Sequence, residues 1–266
     1  MEWNADRHNM MVSMVHDIMR QERFLHLARH FRPHAAQGVQ KIRAGDGFDG
    51  AYVMLDDFRG IDLALSFGVG DLVSWDMEMA QRGVKVWQYD HTVDAPLTTH
   101  KLIEFNKLKI AATPEQGAKT IDEILASAQV KDDASVILKI DIEGGEWEVL
   151  EQCSEASLAR FSQIVFEFHG FAKGNDNAWL TRATRVMEKL YKQFAIIHVH
   201  GNNWCLPPMV NVSNVYFPDT LEGAFANRKR YNLKPSNEVF PTPLDRACNP
   251  LLPEIFLGTF DYGELK

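Results

Sequence analysis

Three polar side chains stand where two apolar segments end. Residues 135–141, SVILKID, are nearly all apolar before Asp141, and residues 161–169, FSQIVFEFH, alternate towards Glu167 and His169. Such segments are typical of buried strands in a parallel sheet, whose carboxyl ends lie along one edge. Neighbouring strands are about 5 Å apart, and two carboxylates that close repel each other unless they share a proton or a cation. We therefore expect these three residues to form one reactive group.

Two chemistries suit this trio. Carboxylate oxygens and an imidazole nitrogen are ligands for Mg²⁺ or Mn²⁺, so Asp141, Glu167 and His169 are candidate metal ligands. Without a metal, the same residues are candidate catalytic groups, with His169 as the preferred general base because an imidazole titrates near neutral pH. In a third interpretation, Glu167 and His169 only hydrogen-bond neighbouring loops. The residues alone leave all three interpretations open.

A glycine turn between two apolar segments predicts a nucleotide-binding unit. Residues 61–65 have strand character, the chain then turns at Gly68 and Gly70, a helical pattern follows, and residues 84–89 lead to Asp90. Glycine lets the backbone turn tightly and approach a ligand. An acid about 20 residues beyond such a turn can hold a ribose hydroxyl. The turn has two glycines rather than the three of the full fingerprint, and a helix N-cap is the alternative role for Asp90.

Four further residues are candidate substrate contacts. Tyr52 lies on the second arm of a hairpin predicted over residues 39–57, where several glycines separate two strand-like arms. His200, at the end of a predicted strand, could line a polar pocket for hydroxyl-rich substrates together with Asn202 and Asn203. Both assignments have structural alternatives. Tyr52 would then be a half-buried strand residue, and the asparagines would belong to a turn, which Asn and Gly favour.

The remaining segments alternate between helices and strands. Apolar patterns predict helices over residues 9–31, 120–128, 147–153 and 179–194, and strands over residues 102–105, 108–112, 195–200 and 210–217. The last of these strands is expected to pair with its predecessor as an antiparallel hairpin. The alternation predicts an α/β fold with a mostly parallel sheet between layers of helices. We divide the chain into an N-terminal helical extension, an α/β domain and an irregular C-terminal tail, over residues 1–38, 39–226 and 227–266.

Charge, cysteines and hydropathy narrow the choice of partners. The 266 residues carry a net charge of −8 without a long basic run, which argues against a nucleic-acid partner. Three distant cysteines without CxxC spacing favour reduced thiols and a cytoplasmic protein. No apolar run reaches membrane-spanning length, and the first residues contain no apolar stretch of a secretory signal. The N-terminal helix is a candidate contact in a homo-oligomer.

Four segments resemble a known enzyme family. LKIDIEGGEWEVL at residues 138–150 resembles the signature of FkbM-type S-adenosylmethionine-dependent methyltransferases. The segments at residues 41–58, 198–203 and 217–225 resemble a related, methyltransferase-like branch. The resemblance implies a Rossmann-like class I methyltransferase fold. In that fold a seven-stranded, mostly parallel sheet has helices on both faces and a final antiparallel strand.

The resemblance also implies a cofactor site. By position, it assigns the contacts with S-adenosylmethionine to the glycine loop, to the acid that ends the next strand and to the residue after that acid. These residues are Ser66, Phe67, Gly68, Val69, Gly70, Asp90 and His91. It places Asp141 at a strand end that faces methyl donor and acceptor. The loop sequence SFGVGD departs from the more usual D-x-G-A-N-x-G form, so individual methionine contacts are not carried over.

The function that the resemblance implies is O-methylation of a hydroxyl on a saccharide or another small molecule, such as a sugar, nucleotide-sugar or glycan precursor. The hydroxyl attacks the methyl group in line and must lose its proton. A base such as His169 would assist, as would Mg²⁺ or Mn²⁺ bound by Asp141, Glu167 and His169. Two alternatives are an NAD(P)-dependent oxidoreductase that uses the same glycine turn, and a non-catalytic methyltransferase-fold binding module.

Overall fold

A computed structural model describes residues 5–95, 98–128, 130 and 134–265. Three sequence predictions extend outside these residues: the first four positions of the N-terminal extension, the loop around Pro96 and the last residue of the C-terminal tail. The helices are α1 (Ala5–Arg29), α2 (Ser74–Gln81), α3 (Ile121–Ser127), α4 (Glu146–Gln152), α5 (Glu155–Leu158) and α6 (Asn177–Tyr191), with a 3-10 turn at Phe171–Asn175. The strands are β1 (His34–Ala36), β2 (Lys41–Ala44), β3 (Tyr52–Leu55), β4 (Leu63–Phe67), β5 (Lys85–Tyr89), β6 (Ile103–Asn106), β7 (Lys109–Ile110), β8 (Ala118–Lys119), β9 (Val136–Ile140), β10 (Phe161–His169), β11 (Phe194–Gly201), β12 (Met209–Val212), β13 (Val215–Pro218), β14 (Thr220–Asn227) and β15 (Leu233–Pro235).

Seven strands form the central sheet. Their order is β11-β14-β10-β9-β4-β5-β6, and the neighbouring pairs from β10 to β6 are all parallel. β14 lies between β10 and β11 and runs antiparallel to both. The predicted Rossmann-like α/β fold with a seven-stranded, mostly parallel sheet is confirmed. The carboxyl ends of β4, β5, β9 and β10 therefore lie along one edge.

The predicted strand at residues 210–217 is wrong. β12 and β13, which share these residues, pair with each other outside the central sheet, and the antiparallel partner of β11 is β14. Gly223 lets β14 fit, because a Cβ there would lie 2.6 Å from both the His198 carbonyl oxygen and the Phe166 ring. Glu222 and Gly223 interrupt the apolar pattern of this strand. That interruption hides the strand in the sequence.

Apolar clusters on opposite faces of the sheet hold the strand ends in place. The predicted hairpin is confirmed as the antiparallel pair β2–β3. Met54 of β3 and Trp75 of α2 belong to one cluster with Ile137 of β9, whereas Leu138 belongs to the other. The faces differ because successive side chains along a strand alternate. The hairpin thus covers one face and carries Tyr52 with it.

Helix α6 covers the other face. It begins after Asp176, whose side chain accepts hydrogen bonds from the amides of Ala178 and Trp179. Apolar residues three and four positions apart form its buried side: Leu180, Ala183, Val186, Met187 and Leu190. These residues join the main core cluster. Helix packing therefore follows the pattern that the sequence predicts for this segment.

The two ends of the chain contact each other. β1 pairs antiparallel with β15, which joins the N-terminal extension to the C-terminal tail. In α1, Phe24 and Leu27 are buried, whereas Met14 and Ile18 are exposed. The division of the chain into three segments stays a prediction. None of the helices described here has the length and apolarity needed to cross a bilayer.

Candidate active site

The loop between β4 and α2 turns tightly against the end of β9. Gly68 has a φ of 73°, and a Cβ on it would lie 1.5 Å from the carbonyl oxygen of Asp141. The Gly68 amide donates to the Tyr89 carbonyl oxygen at 3.1 Å, and the Asp141 amide donates to that of Phe67 at 3.0 Å. Only glycine fits at position 68. Because it has no Cβ, the loop backbone can lie directly against the edge of the sheet.

Asp90 fixes this loop. Its Oδ2 accepts hydrogen bonds from the amides of Val69 at 2.8 Å and Gly70 at 3.0 Å, and its Oδ1 accepts from the amide and hydroxyl of Thr92 at 2.7 and 2.6 Å. Burial raises the pKa of Asp90, but these hydrogen bonds outweigh it and lower the pKa to about 2. A carboxylate has about four acceptor positions, so a ribose hydroxyl has to replace one of these donors. The Thr92 hydroxyl, which can rotate away, is the replaceable one, and the ribose contact stays a prediction.

The low pKa of Asp90 predicts a pH-dependent stability. A carboxylate whose pKa falls on folding stabilises the fold above its ordinary value of 3.8 and loses that contribution as the pH falls towards about 2. We expect Asp90→Asn to lower the free energy of unfolding at neutral pH. The difference from the wild type should shrink between about pH 4 and pH 2. Urea denaturation across this range measures the difference, and a constant value would contradict the assignment.

A cavity of about 360 Å³ lies beside the glycine loop. Its wall contains most of the predicted cofactor and catalytic residues: Gly68, Val69, Gly70, Asp90, His91, Asp141 and Glu167. Ser66 and Phe67 are wholly buried in β4 and support the loop. A larger cavity of about 810 Å³ shares Asp49, Asp71 and Leu72 with the first. The site therefore offers adjoining spaces for two ligands.

Asp141 contacts a buried tyrosine and a buried lysine. Its Oδ2 accepts a hydrogen bond from the Tyr52 hydroxyl at 3.2 Å and lies 3.8 Å from Nζ of Lys139. Lys139 is 2% exposed and donates to the Gly68 carbonyl oxygen at 2.5 Å. Burial raises the pKa of Asp141, and Lys139 and His169 oppose that rise. Lys139 is not among the residues predicted from the sequence. A single charged residue inside an apolar strand nevertheless indicates that a partner of opposite charge lies nearby, because lysine is almost never fully buried unless it is paired.

His169 is surrounded by carboxylates. Its Nδ1 lies 3.3 Å from Oε1 of Glu146, and its Nε2 lies 3.2 Å from Oε1 of Glu167 and 3.6 Å from Oε2 of Glu143. Burial lowers the pKa of the ring, but hydrogen bonds with Glu146 and Glu167 outweigh burial and raise it to about 11. These hydrogen bonds therefore favour the protonated form of the ring at neutral pH. These contacts suit His169 to position Glu167, and the general-base role stays a prediction.

Glu146 is a second residue that sequence analysis missed. It is wholly buried, and its Oε1 accepts hydrogen bonds from the amides of Ile142 at 2.8 Å and Gly144 at 3.1 Å. It thereby closes the turn after β9 and holds His169. By residue pattern it is an ordinary glutamate at the start of a helix, and its place in the segment LKIDIEGGEWEVL is the one signal that could have identified it.

A row of polar side chains runs across β10, β14 and β11. Glu167 is in register with Glu222, and Glu222 with His200. Nδ1 of His200 donates to Oε2 of Glu222 at 2.6 Å, and Nε2 donates to Oε1 of Glu254 at 2.8 Å. Burial lowers the pKa of His200, but both hydrogen bonds outweigh it and raise the pKa to about 10. His200 is therefore a charged support for Glu222.

The other predicted substrate residues also lie behind the cavity walls. Asn202 donates to Oε1 of Glu167 at 3.0 Å, and Asn203 donates to the carbonyl oxygens of Asn249 and Pro253 at 3.0 and 3.1 Å. Tyr52, His200, Asn202 and Asn203 are each at most 3% exposed. Of the residues that the structure describes, none of these four lines either cavity. Their substrate contacts stay a prediction, and the observed contacts are structural.

The predicted metal ligands fall into different groups. Two sets of side chains that include a predicted ligand have ligand atoms within 4.8 Å of one another: Asp141, Glu143 and His169, and Asp49, Glu167 and Glu222. The trio predicted from the sequence is divided between these sets. A protonated His169 has no lone pair for a metal ion. The second set offers oxygen ligands alone, which hard divalent cations prefer.

A methyltransferase family matches the middle of the chain. The family model described as Methyltransferase FkbM domain matches residues 62–197, just over half of the sequence. No curated protein matches the chain. Among solved structures, the chain is similar to a candidate S-adenosylmethionine dependent methyltransferase from Listeria monocytogenes, at 15% identity and a TM-score of 0.36 over 65% of this chain and 94% of that one.

Two other solved structures are similar at comparable distance. The fibrillarin/Nop5p complex contains a chain that is 12% identical, with a TM-score of 0.38 over 74% of this chain and 98% of that one. The bifunctional kinase-methyltransferase WbdD is 9% identical, with a TM-score of 0.35 over 69% of this chain and 39% of that one. Similarities this distant do not bear on the reaction or the acceptor.

Proposed function

Because the chain belongs to the FkbM methyltransferase family, we propose that it transfers the methyl group of S-adenosylmethionine to a hydroxyl oxygen of a sugar, nucleotide-sugar or glycan precursor. The observation that carries this proposal is the meeting of two cavities at Asp49, Asp71 and Leu72, beside the glycine loop that follows β4. The glycine loop and Asp90 bound the smaller cavity, and Phe48 and Trp204 line the larger one. Donor and acceptor thus have adjoining spaces.

The smaller cavity suits a cationic methyl donor. S-adenosylmethionine supplies an electrophilic methyl group on a positively charged sulfonium. Asp141 and Glu143 place carboxyl groups in the cavity wall, which attract a cation. Gly68, whose Cβ position is occupied by a neighbouring carbonyl, lets the backbone approach the ligand. The residues present therefore fit this cofactor.

The larger cavity suits a sugar-like acceptor. Phe48 and Trp204 are 51% and 55% exposed and belong to its lining. Aromatic faces pack on the apolar face of a sugar ring, while a few polar groups fix its orientation. Asp49 and Asp71, at the junction with the smaller cavity, can accept hydrogen bonds from hydroxyl groups.

Asp141 is the residue that we expect to take the acceptor proton. Its Oδ2 is held by Tyr52, and within the described residues Oδ1 accepts no hydrogen bond. Burial raises its pKa, which makes the ionised carboxylate a stronger base, and Lys139 favours the ionised form. His169, protonated at neutral pH, would position Glu167. Alignment of the hydroxyl with the methyl group supplies much of the remaining catalysis.

Mass spectrometry with a labelled donor tests the proposed function. We expect incubation with S-adenosylmethionine carrying a deuterated methyl group to yield a methylated acceptor from a panel of monosaccharides and nucleotide sugars, with one S-adenosylhomocysteine formed per transfer. Two outcomes would contradict the proposal. Oxidation of an acceptor coupled to NAD(P) reduction would favour the oxidoreductase, and tight binding of S-adenosylhomocysteine without turnover would favour a binding module.

A further inference from the structure

Three carboxylates meet at the wall of the smaller cavity. Ligand oxygens of Asp49, Glu167 and Glu222 lie within 4.8 Å of one another. Glu167 and Glu222 are opposite each other in the antiparallel pair β10–β14, and Asp49 comes from the loop that joins β2 and β3. Asp49 and Glu167 also line the smaller cavity. Three segments distant in the sequence thus bring their carboxylates to one point.

Glu222 has one oxygen that the surrounding side chains leave unsatisfied. The residue is 4% exposed, and its Oε1 is buried without a hydrogen-bond partner in the described part of the chain. Its Oε2 is held by His200 at 2.6 Å. A buried carboxylate oxygen without a partner carries a large desolvation cost. A positive ligand at this point would remove that cost.

Asp49 and Glu167, like Glu222, each have one carboxylate oxygen held by the protein and one without a hydrogen-bond donor among the described residues. Oε1 of Glu167 accepts from Asn202 at 3.0 Å and lies 3.2 Å from Nε2 of His169. Oδ1 of Asp49 accepts from the Gly50 amide at 2.9 Å. No described residue donates a hydrogen bond to Oε2 of Glu167 or to Oδ2 of Asp49. Each carboxylate thus has one oxygen fixed by the protein and one uncommitted, an arrangement typical of metal ligands with supporting contacts.

Among the described residues, two side-chain cations form ion pairs with these carboxylates. Glu167 pairs with His169 and Glu222 pairs with His200, and each of these rings is shared with a further glutamate. These ion pairs therefore leave part of the negative charge of the group unbalanced.

An adjacent set of possible ligands is unsuited to a metal. His200, Glu222 and Cys248 also have ligand atoms within 4.8 Å of one another. His200, however, donates from both ring nitrogens, to Glu222 and Glu254. Both ring nitrogens are thus engaged by carboxylates, so His200 offers no free nitrogen to a metal ion.

We propose that Asp49, Glu167 and Glu222 bind one divalent cation of the Mg²⁺, Mn²⁺ and Ca²⁺ class. Hard cations of this class take oxygen ligands. The ligand atoms of the three residues lie within 4.8 Å of one another, close enough for one such ion to contact all three. Asp49 lies on a loop with three glycines, which lets its carboxylate adjust to the ion.

The role of the cation rests on the proposed function, whereas its binding does not. Beside Asp49, which lines both cavities, an acceptor hydroxyl oxygen can complete the coordination. Coordination lowers the pKa of the hydroxyl, which eases transfer of its proton to Asp141. This site differs from the trio predicted from the sequence, because it replaces Asp141 and His169 by Asp49 and Glu222.

Calorimetric titration with Mn²⁺ tests the cation site on the full chain after treatment with a chelator. We expect one Mn²⁺ per chain, with Ca²⁺ competing for it. Asp49→Asn and Glu222→Gln should each weaken Mn²⁺ binding at least about tenfold, because each removes a charged ligand. Asp46→Asn is the matched control, since Asp46 is exposed on the same loop and belongs to no ligand set described here. That variant should bind Mn²⁺ like the wild type.

Two results would overturn the site. One is a folded wild-type protein that shows no Mn²⁺ binding, and the other is binding that both ligand substitutions leave unchanged. Melting curves of each variant establish that it is folded. The same samples, titrated with S-adenosylhomocysteine in the presence of chelator, separate the two proposals. Cofactor binding without Mn²⁺ binding overturns the cation site alone, whereas Mn²⁺ binding without cofactor binding overturns the proposed function alone.

Discussion

Asp141→Asn is expected to lower methyl transfer by about a hundredfold or more, the effect of losing a general base. The affinity for S-adenosylhomocysteine should change little, because the glycine loop contacts Asp141 through its main chain. Asparagine has almost the same shape and can still accept the hydrogen bond from Tyr52. The change therefore removes basicity and charge while it preserves the packing. Initial rates and calorimetric cofactor titrations measure the two quantities separately.

Tyr52→Phe is the companion variant for this experiment. It removes the hydroxyl that orients Asp141 but leaves the carboxylate in place. We expect a smaller loss of turnover, on the order of tenfold, because positioning is weakened and the base is retained. An Asp141→Asn protein that keeps wild-type turnover would remove Asp141 from the chemistry. Equal losses in both variants would instead assign the whole effect to orientation.

Lys139→Met is expected to destabilise the fold by about 1–3 kcal/mol, the cost of leaving buried hydrogen-bonding groups without a partner. Lys139 is 2% exposed, lies 3.8 Å from Oδ2 of Asp141 and donates to the Gly68 carbonyl oxygen at 2.5 Å. Methionine fills a similar volume but leaves the partly buried Asp141 carboxylate without this counter-charge and frees the glycine loop. We therefore also expect cofactor affinity to fall.

Urea denaturation measures this effect, and Lys101→Met is the matched control because Lys101 is exposed. In an Asp141→Asn background, Lys139→Met should cost less, since the charge that it leaves unpaired is gone. A cost that is the same in both backgrounds would mean that Lys139 acts on the loop alone. A single variant as stable as the wild type would contradict the role of the lysine as a buried counter-charge.

The edge of the sheet could be predicted because it depends on local patterns. Apolar segments that end in Asp90, Asp141 and Glu167 identify three strands, and parallel strands bring such ends together. The turn at Gly68 follows from glycine between a strand and a helix. These features depend only on the spacing of residue types, so they can be predicted from the sequence.

Features that depend on contacts between distant segments could not be predicted. The protonation of His169 depends on carboxylates from the turn after β9, from α4 and from β10. Asp49 reaches the site only because its hairpin packs on the sheet. β14 was not predicted because it contains Glu222, and a charged residue in the sequence suggests a loop. Glu222 is accommodated in the strand only because it lies opposite Glu167 and His200 on the neighbouring strands. In each case tertiary structure determines the environment.

Calorimetric titration with S-adenosylhomocysteine tests the central claim most directly. The cofactor space beside the glycine loop predicts one binding site per chain, no competition by NAD, and loss of binding in Gly68→Ala, where the new Cβ meets the Asp141 carbonyl oxygen. Gly83→Ala is the matched control, because Gly83 also has a positive φ but has open space around the Cβ position. A folded wild-type protein that binds NAD and not S-adenosylhomocysteine would contradict the account.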